Sequence, residues 1–407
     1  MSIKILHTSD WHLGKQLQKI DFHEDMELFF NWLTDVIQTQ NIDVLLMSGD
    51  LFDQVNPSQQ AMRQYYLFLK RMIPLKCKVI ITGGNHDSPH VLNAPKEILE
   101  ILDVKVIGGV PSNVSDLFIE FEKENEKAVI AAVPFLRDKD IRQTVAGESY
   151  EDKIEQIREG LRNYFKNVND YYLDNYKDVP YILMGHLFVQ GVEPSESERE
   201  IQIGNQASID ASIFGQYPHY VALGHIHKPQ KVGKSILYSG SPIPMSFSEK
   251  MDQKRVVVLE IEGAELTSTS LEIPSFRKLI TLKGSISDIK QKLTDYSKVS
   301  ILPDLAEIIA LEENENIESI SELEVLLSGE AQELYPDVVI LKGKIEFQNK
   351  IKGTGSFLEK GEDIASFQPI ELFQKRLDMD ESIEDSSELL NAFREILENI
   401  NQSNSTI

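Results

Sequence analysis

The chain has 407 residues, a formal net charge of −24 and one cysteine. That length accommodates two or three domains. Hydrophobic residues at 41% supply a sizeable core, and a lone thiol excludes an internal disulfide framework and predicts a reducing, cytoplasmic setting. The acidic balance excludes a grip on polyanions by overall basicity. No run of roughly 18 apolar residues is present, so neither a membrane span nor an N-terminal targeting segment is expected.

Five short apolar runs mark the first 230 residues, and each ends in a polar cluster. Ile3–Leu6 leads to Thr8-Ser9-Asp10-Trp11-His12, and Val44–Met47 to Ser48-Gly49-Asp50. Val79–Thr82 leads to Gly83-Gly84-Asn85-His86-Asp87, Tyr181–Met184 to Gly185-His186, and Tyr220–Leu223 to Gly224-His225-Ile226-His227. Runs of this length, rich in β-branched residues, predict buried strands, and glycine after a strand permits a tight turn. Between them Glu24–Gln38 and Gln59–Met72 carry apolar residues at helical spacing. Cys77, at the head of the third run, reads as core.

Further strands are predicted at Leu117–Phe121, Val129–Val133 and Val256–Ile261, and one or two charged helices over Tyr150–Tyr176. The Ser- and Glu-rich stretch Glu193–Ile203 reads as a mobile loop. Near Pro274 the composition shifts: Lys278–Lys283, Ala306–Leu311 and Val338–Phe347 read as strands and Ile286–Lys298 as a helix. Gly353-Thr354-Gly355 then opens an acidic tail, 356–407, with 4 Lys/Arg against 12 Asp/Glu. In it Leu389, Leu390, Phe393, Leu397 and Ile400 form an apolar helical stripe, with Asp385 and Glu388 spaced as a capping box. Three units follow: a strand–helix domain over 1–270, a small α+β domain over 275–350 and a helical tail over 356–407.

In alternating strand–helix domains, sites form beyond the carboxyl ends of strands. Asp10, His12, Asp50, Asn85, His186, His225 and His227 all lie there. Carboxylates with imidazoles and no thiolates suit first-row divalent ions such as manganese, iron or zinc. Seven donors are too many for one ion, whereas Asp50 can bridge two. Two ions about 3.5–4 Å apart are a device for in-line displacement at phosphorus. Taken singly, an Asp-x-His or a Gly-Asp is an ordinary turn; the five clusters in order are not. His7, His23, His90 and His219 lack such context and read as surface or core histidines.

Asp10-x-His12, Gly49-Asp50, Gly84-Asn85-His86-Asp87, Gly185-His186 and Gly224-His225-x-His227 resemble the five motifs of the calcineurin-like metallophosphoesterase family. The resemblance implies a two-sheet sandwich flanked by helices, a four-layer αββα fold. It implies one ion on Asp10, His12, Asp50 and His227, and a second on Asp50, Asn85, His186 and His225. His86 would be the general acid at the leaving oxygen, with Asp87 orienting it. Ser9-Asp10-Trp11-His12-Leu13-Gly14, Gly49-Asp50-Leu51-Phe52-Asp53, His186-Leu187-Phe188-Val189 and Tyr238-Ser239-Gly240-Ser241-Pro242 resemble the SbcD branch of nuclease subunits.

That branch implies a manganese-dependent exonuclease on duplex DNA ends and endonuclease on single strands and hairpins, serving repair, recombination and replication. It also implies a capping role for 275–350, an SbcC-like coiled-coil ATPase partner docked by the tail, and a homodimer within a heterotetramer. Archaeal and eukaryotic relatives carry histidine where this chain has Asp53, which leaves open whether Asp53 orients His86 or caps a turn. The family also contains nucleotide and cyclic-nucleotide phosphodiesterases, and some of its members are scaffolds without catalysis; the motifs alone leave those alternatives open.

Overall fold

The computed structural model describes residues 2–142, 147–198, 209–314, 316–349, 369–378 and 387–404. Two six-stranded sheets form its centre. The first runs, edge to edge, Glu265–Glu272, Arg255–Glu262, Ile3–Thr8, Val44–Ser48, Lys78–Thr82, Val104–Ile107. Its last four strands are mutually parallel, and the hairpin over 255–272 adds antiparallel to Ile3–Thr8. The second runs Gln230–Val232, Ile236–Tyr238, Tyr220–Gly224, Tyr181–His186, Glu126–Ala132, Phe118–Lys123. Its inner four strands are parallel and both edge strands antiparallel.

Alternation along the strands explains why they are apolar throughout. Ile3, Ile5, Val44, Leu46 and Ile80 face the second sheet, where they join Ile130, Leu183 and Leu223 in one core. Leu6, Leu45, Met47, Val79 and Ile81 face the other way, onto the helices His23–Gln40 and Gln59–Leu75. The helix Tyr150–Asn175 covers the outer face of the second sheet with Ile157, Leu161, Phe165, Val168 and Tyr172. It is a single helix, begun by a reciprocal cap between Ser149 and Asp152. The layers are therefore helix, sheet, sheet, helix. Cys77 is buried against the first helical layer, and burial pushes its thiol up to about 12, the state of an inert core residue.

Residues 279–349 make a separate three-stranded parallel sheet of Leu279–Gly284, Asp304–Asn314 and Val338–Asn349. Ile286–Thr294 and Ile317–Leu326 pack on it through Ile286, Ile289, Leu293, Leu323 and Leu326. The expected helix over Ile286–Lys298 thus stops four residues early, and Ile317–Leu326 and Gly329–Leu334 are helices the sequence did not announce. A buried ion pair, Arg277 Nε to Asp25 Oδ1 at 2.9 Å, ties the start of this unit to the helix His23–Gln40. Two tail helices, Pro369–Asp378 and Ser387–Asn404, meet through stacked rings of Phe373 and Phe393, 4.1 Å between centroids. The Gly353-Thr354-Gly355 turn, the Asp385 cap and the Glu193–Ile203 loop beyond residue 198 lie outside the described residues. No helix among the described residues is long and apolar enough to cross a membrane.

Candidate metal centre

Strands from both sheets end at the same edge of the sandwich, so their terminal loops face one another. The loop after Ile3–Thr8 is anchored by Trp11. Its buried ring packs edge-on to Phe30 (4.9 Å) and Phe68 (5.0 Å), and its Nε1–H donates to Thr8 Oγ1 at 3.0 Å. Such pairs contribute roughly 0.5–1.5 kcal/mol each beyond area burial. That anchoring holds Asp10 and His12, on either side of Trp11, at φ of 54° and 45°. Asp50 (φ 54°) and His225 (φ 99°) are likewise in the left-handed half of the map. Side chains rarely take these conformations unless the surroundings impose them, at about 1–3 kcal/mol each.

Two glycines make the convergence possible. A Cβ on Gly84 would lie 2.1 Å from Asp50 Oδ1, and one on Gly224 would lie 1.9 Å from the Ser48 carbonyl oxygen. The loop carrying Asn85 and His86 therefore sits directly on Asp50, and the strand carrying His225 sits directly on the strand that leads to it.

All seven predicted donors come together. His186 Nε2 lies 3.3 Å from Asp50 Oδ2 and 2.9 Å from Asn85 Oδ1, and His225 Nδ1 lies 3.2 Å from Asn85 Oδ1. His12 Nε2 lies 3.6 Å from Asp50 Oδ2 and 3.1 Å from His227 Nε2. Asp10, His12 and His227 form one group whose donor atoms lie within 4.8 Å of one another; Asp50, His186 and His225 form another; His12, Asp50 and His86 form a third. Asp10, Asp50 and every imidazole named here are buried.

Charge inside the cluster is set by this proximity. Burial opposes the Asp50 charge, but the His186 and His12 rings outweigh it and hold the carboxyl well below its ordinary range. His186 is raised in turn to about 9: burial works against its charge, and Asp50 more than offsets it. Asp10, by contrast, is pushed up by burial. Its Oδ1 accepts from the His225 backbone N–H at 2.9 Å and its Oδ2 from Ser9 Oγ at 2.5 Å.

Asp87 was expected to orient His86. Its carboxylate accepts three backbone N–H groups, from Leu51 (3.0 Å), Phe52 (3.0 Å) and Gly84 (2.9 Å), and so fastens the Asp50 loop to the His86 loop. The His86 ring has Nδ1 2.8 Å from the Asp53 main-chain carbonyl, and its backbone N–H donates to Asp50 Oδ1 at 2.8 Å. A carbonyl only accepts, so Nδ1 carries a proton in this arrangement, and Nε2 is the ring nitrogen that can exchange one with a bound ligand. The Asp53 carboxylate lies 3.3 Å from His12 Nδ1 and 3.1 Å from Lys15 Nζ.

Sequence reading missed a further set. Ser197 Oγ is 2.6 Å from His227 Nδ1, and buried Glu249 lies 3.6 Å from the same nitrogen and 2.6 Å from Lys254. Glu249 and Lys254 lie outside every motif; the run Tyr238 to Pro242 shortly before them was the nearest signal. His7, read as surface or core, is core. It sits between the sheets with Nδ1 3.0 Å from Tyr220 Oη, and burial lowers its pKa to about 3.

The donor set fits divalent ions. The Nε2 atoms of His12 and His227 face each other at 3.1 Å, and His227 Nδ1 meets Ser197 Oγ on the far side of its ring. Two imidazole nitrogens with the Asp10 and Asp50 carboxylates beside them make a nitrogen–oxygen donor set of the kind a divalent cation takes.

The calcineurin-like phosphoesterase family profile matches residues 3–229. The chain is 28% identical over 402 residues to the SbcD component of the SbcCD nuclease of Escherichia coli strain K12, covering 95% of this chain and 96% of that relative. It is 30% identical over 296 residues to the corresponding SbcCD component of Staphylococcus epidermidis, covering 71% of this chain and 75% of that one. The Rhodobacter capsulatus counterpart gives 30% over 272 residues, with 64% and 67% covered. With its five strand-end clusters gathered at one edge of a two-sheet sandwich, the chain belongs to the calcineurin-like phosphoesterase family, in its SbcD branch.

Proposed function

We propose that the protein is the nuclease subunit of an SbcCD-type complex and hydrolyses the phosphodiester backbone of DNA with two divalent ions, manganese foremost. The observation that carries this reading is the convergence of seven metal-donor side chains in one buried cluster, with Asp50 in two of its three donor groups. Asp10, His12, Asp50 and His227 would hold one ion; Asp50, Asn85, His186 and His225 the other. When bound, the ions supply Lewis acidity, activate water and neutralise charge on the phosphate.

The remaining residues do the rest. His86, protonated on both ring nitrogens, gives the Nε2 proton to the leaving sugar oxygen and keeps the Nδ1 proton on the Asp53 carbonyl, a step worth roughly 10²–10⁴-fold. The Asp53 carbonyl fixes which nitrogen does so, and Asp87 keeps the two loops in register through their backbone. No covalent intermediate is needed.

The unit 275–350 caps the domain and steers duplex ends to the centre, and 356–407 docks on an SbcC-like coiled-coil ATPase, which carries the phosphate contacts that a chain of net charge −24 does not. Leu389 and Ile396, two turns apart on the last helix, are 46% and 53% exposed, as a docking face requires. A homodimer within a heterotetramer and a cytoplasmic setting complete the proposal.

The test compares linear duplex DNA with bis-p-nitrophenyl phosphate, each with manganese or with chelator, for the wild type and Asp50→Ala. Manganese-dependent cleavage of both by the wild type, abolished in Asp50→Ala, is expected. A variant as active as the wild type would refute the shared-carboxylate centre. Cleavage of mononucleotides in preference to duplex would make the protein a nucleotide phosphodiesterase instead.

A further inference from the structure

The two imidazoles that meet across the centre come from different sheets, and behind the far nitrogen of each stands a carboxylate paired with a lysine. Behind His12 stand Asp53 and Lys15. Behind His227 stands a longer relay. Ser197 Oγ lies 2.6 Å from His227 Nδ1 and hydrogen-bonds Glu249 Oε1. Lys254 Nζ bonds Glu249 Oε2 at 2.6 Å and also donates to Ser241 Oγ at 3.0 Å and to the His227 main-chain carbonyl at 2.9 Å. Glu249 and Lys254 are 0% and 4% exposed.

The chemistry of this relay has one consistent reading. A carboxylate beside an ammonium only accepts, so the Ser197 hydroxyl donates to Glu249. Its oxygen then accepts from His227 Nδ1–H, and the His227 lone pair is left on Nε2, facing His12. Burial opposes charge on Glu249, but Lys254 and His227 outweigh it and keep the carboxyl well below its ordinary range. Across Asp50 the support is different: His186 Nδ1 meets the Ser48 main-chain carbonyl at 2.9 Å. The two halves of the centre are thus built on different supports.

We propose that Glu249, held by Lys254 and relayed through Ser197, is a positioning residue for His227 and sets the affinity of the ion bound by Asp10, His12, Asp50 and His227, with Asp53 and Lys15 doing the same behind His12. This rests on the two-ion reading above. Carboxylates behind metal-bound histidines fix the ring's tautomer and orientation and raise its donor strength, and losing one typically costs about 10–100-fold in metal affinity. The sequence between the motifs gives no hint of this pair, because Glu249 lies in a single helical turn, Phe247–Glu249, and Lys254 immediately before the strand Arg255–Glu262.

The test is a manganese titration of the full-length protein, with free Mn2+ read by electron paramagnetic resonance, for wild type, Glu249→Gln, Ser197→Ala and Asp53→Asn. Two bound ions are expected in the wild type. In Glu249→Gln and Asp53→Asn one of the two should weaken by about 10–100-fold while the other is unchanged. Ser197→Ala should weaken the same ion by a smaller factor. Ser197 is partly exposed in a loop, so its variant keeps the test alive if Glu249→Gln does not fold. Wild-type affinity for both ions in Ser197→Ala and Asp53→Asn would overturn the inference. So would equal loss of both ions in Glu249→Gln with none in Ser197→Ala, which would make Glu249 a packing residue. A wild type that binds no manganese would refute the two-ion reading itself and the inference with it.

Discussion

Gly84→Ala adds one methyl group at the closest point between the two loops of the centre. The new Cβ would lie 2.1 Å from Asp50 Oδ1 and 2.2 Å from Asp50 N, more than about 1 Å short of the 3.4 Å at which ordinary contact begins. Neither loop can yield cheaply. Asp50 Oδ1 accepts from the His86 backbone N–H, and the Gly84 N–H is itself bonded to Asp87, which also holds Leu51 and Phe52. Overpacking of this kind costs about 1–3 kcal/mol of stability, and the displacement falls on the carboxylate that both ions would share. A misplacement of about 1 Å at a reacting centre costs roughly 10²-fold in rate. The assay is manganese-dependent hydrolysis of bis-p-nitrophenyl phosphate beside thermal unfolding, with Gly329→Ala as control, since a Cβ there meets nothing within 4 Å. Gly329→Ala should be indistinguishable from wild type. A Gly84→Ala protein with the wild-type rate and melting temperature would refute the claim that loop contact sets the position of Asp50.

Two further predictions concern stability. His7 takes a proton at about 6.5 in the unfolded chain but only at about 3 when folded, so its burial costs stability as pH falls below 6.5. The loss amounts to about 1.4 kcal/mol per pH unit, and about 3 kcal/mol by pH 4. His7→Leu combined with Tyr220→Phe should flatten the pH dependence of urea unfolding between pH 6 and 4, measured in chelator; parallel wild-type and variant curves would contradict it. Arg277→Met should destabilise by about 3–5 kcal/mol, because it leaves Asp25 buried beside an apolar side chain, whereas Asp25→Leu with Arg277→Met should recover most of that loss. Denaturant melts of the single and double variants decide it; equal stability of both would show that the pair is not a coupled unit.

The catalytic elements were legible because the five strands that carry the donors are mostly apolar and run into polar clusters, four of them through glycine, a contrast that survives without any structure. The edge strand Glu265–Glu272 was not, since it is mostly exposed and polar and owes its place to backbone pairing with Arg255–Glu262. The helix Ile317–Leu326 hid for a related reason: Ile317 and Val325 are exposed, so its apolar residues mark no single face. Donor residues could be named from the strand ends, but their supports could not. Asp87 acts on three backbone N–H groups, and Glu249 reaches His227 through a loop serine and a lysine from different parts of the chain. Side-chain chemistry near a motif is local in sequence; what orients it is local only in space.

Whether this centre cuts duplex DNA with His86 as proton donor is decided by incubating purified protein with linear duplex DNA and manganese, with chelator and His86→Ala in parallel, and measuring bound manganese in the same samples. Degradation that chelator abolishes, reduced roughly 10²–10⁴-fold in His86→Ala with both ions retained, is the predicted result. Undiminished degradation by His86→Ala, or loss of both ions with the ring, would contradict it.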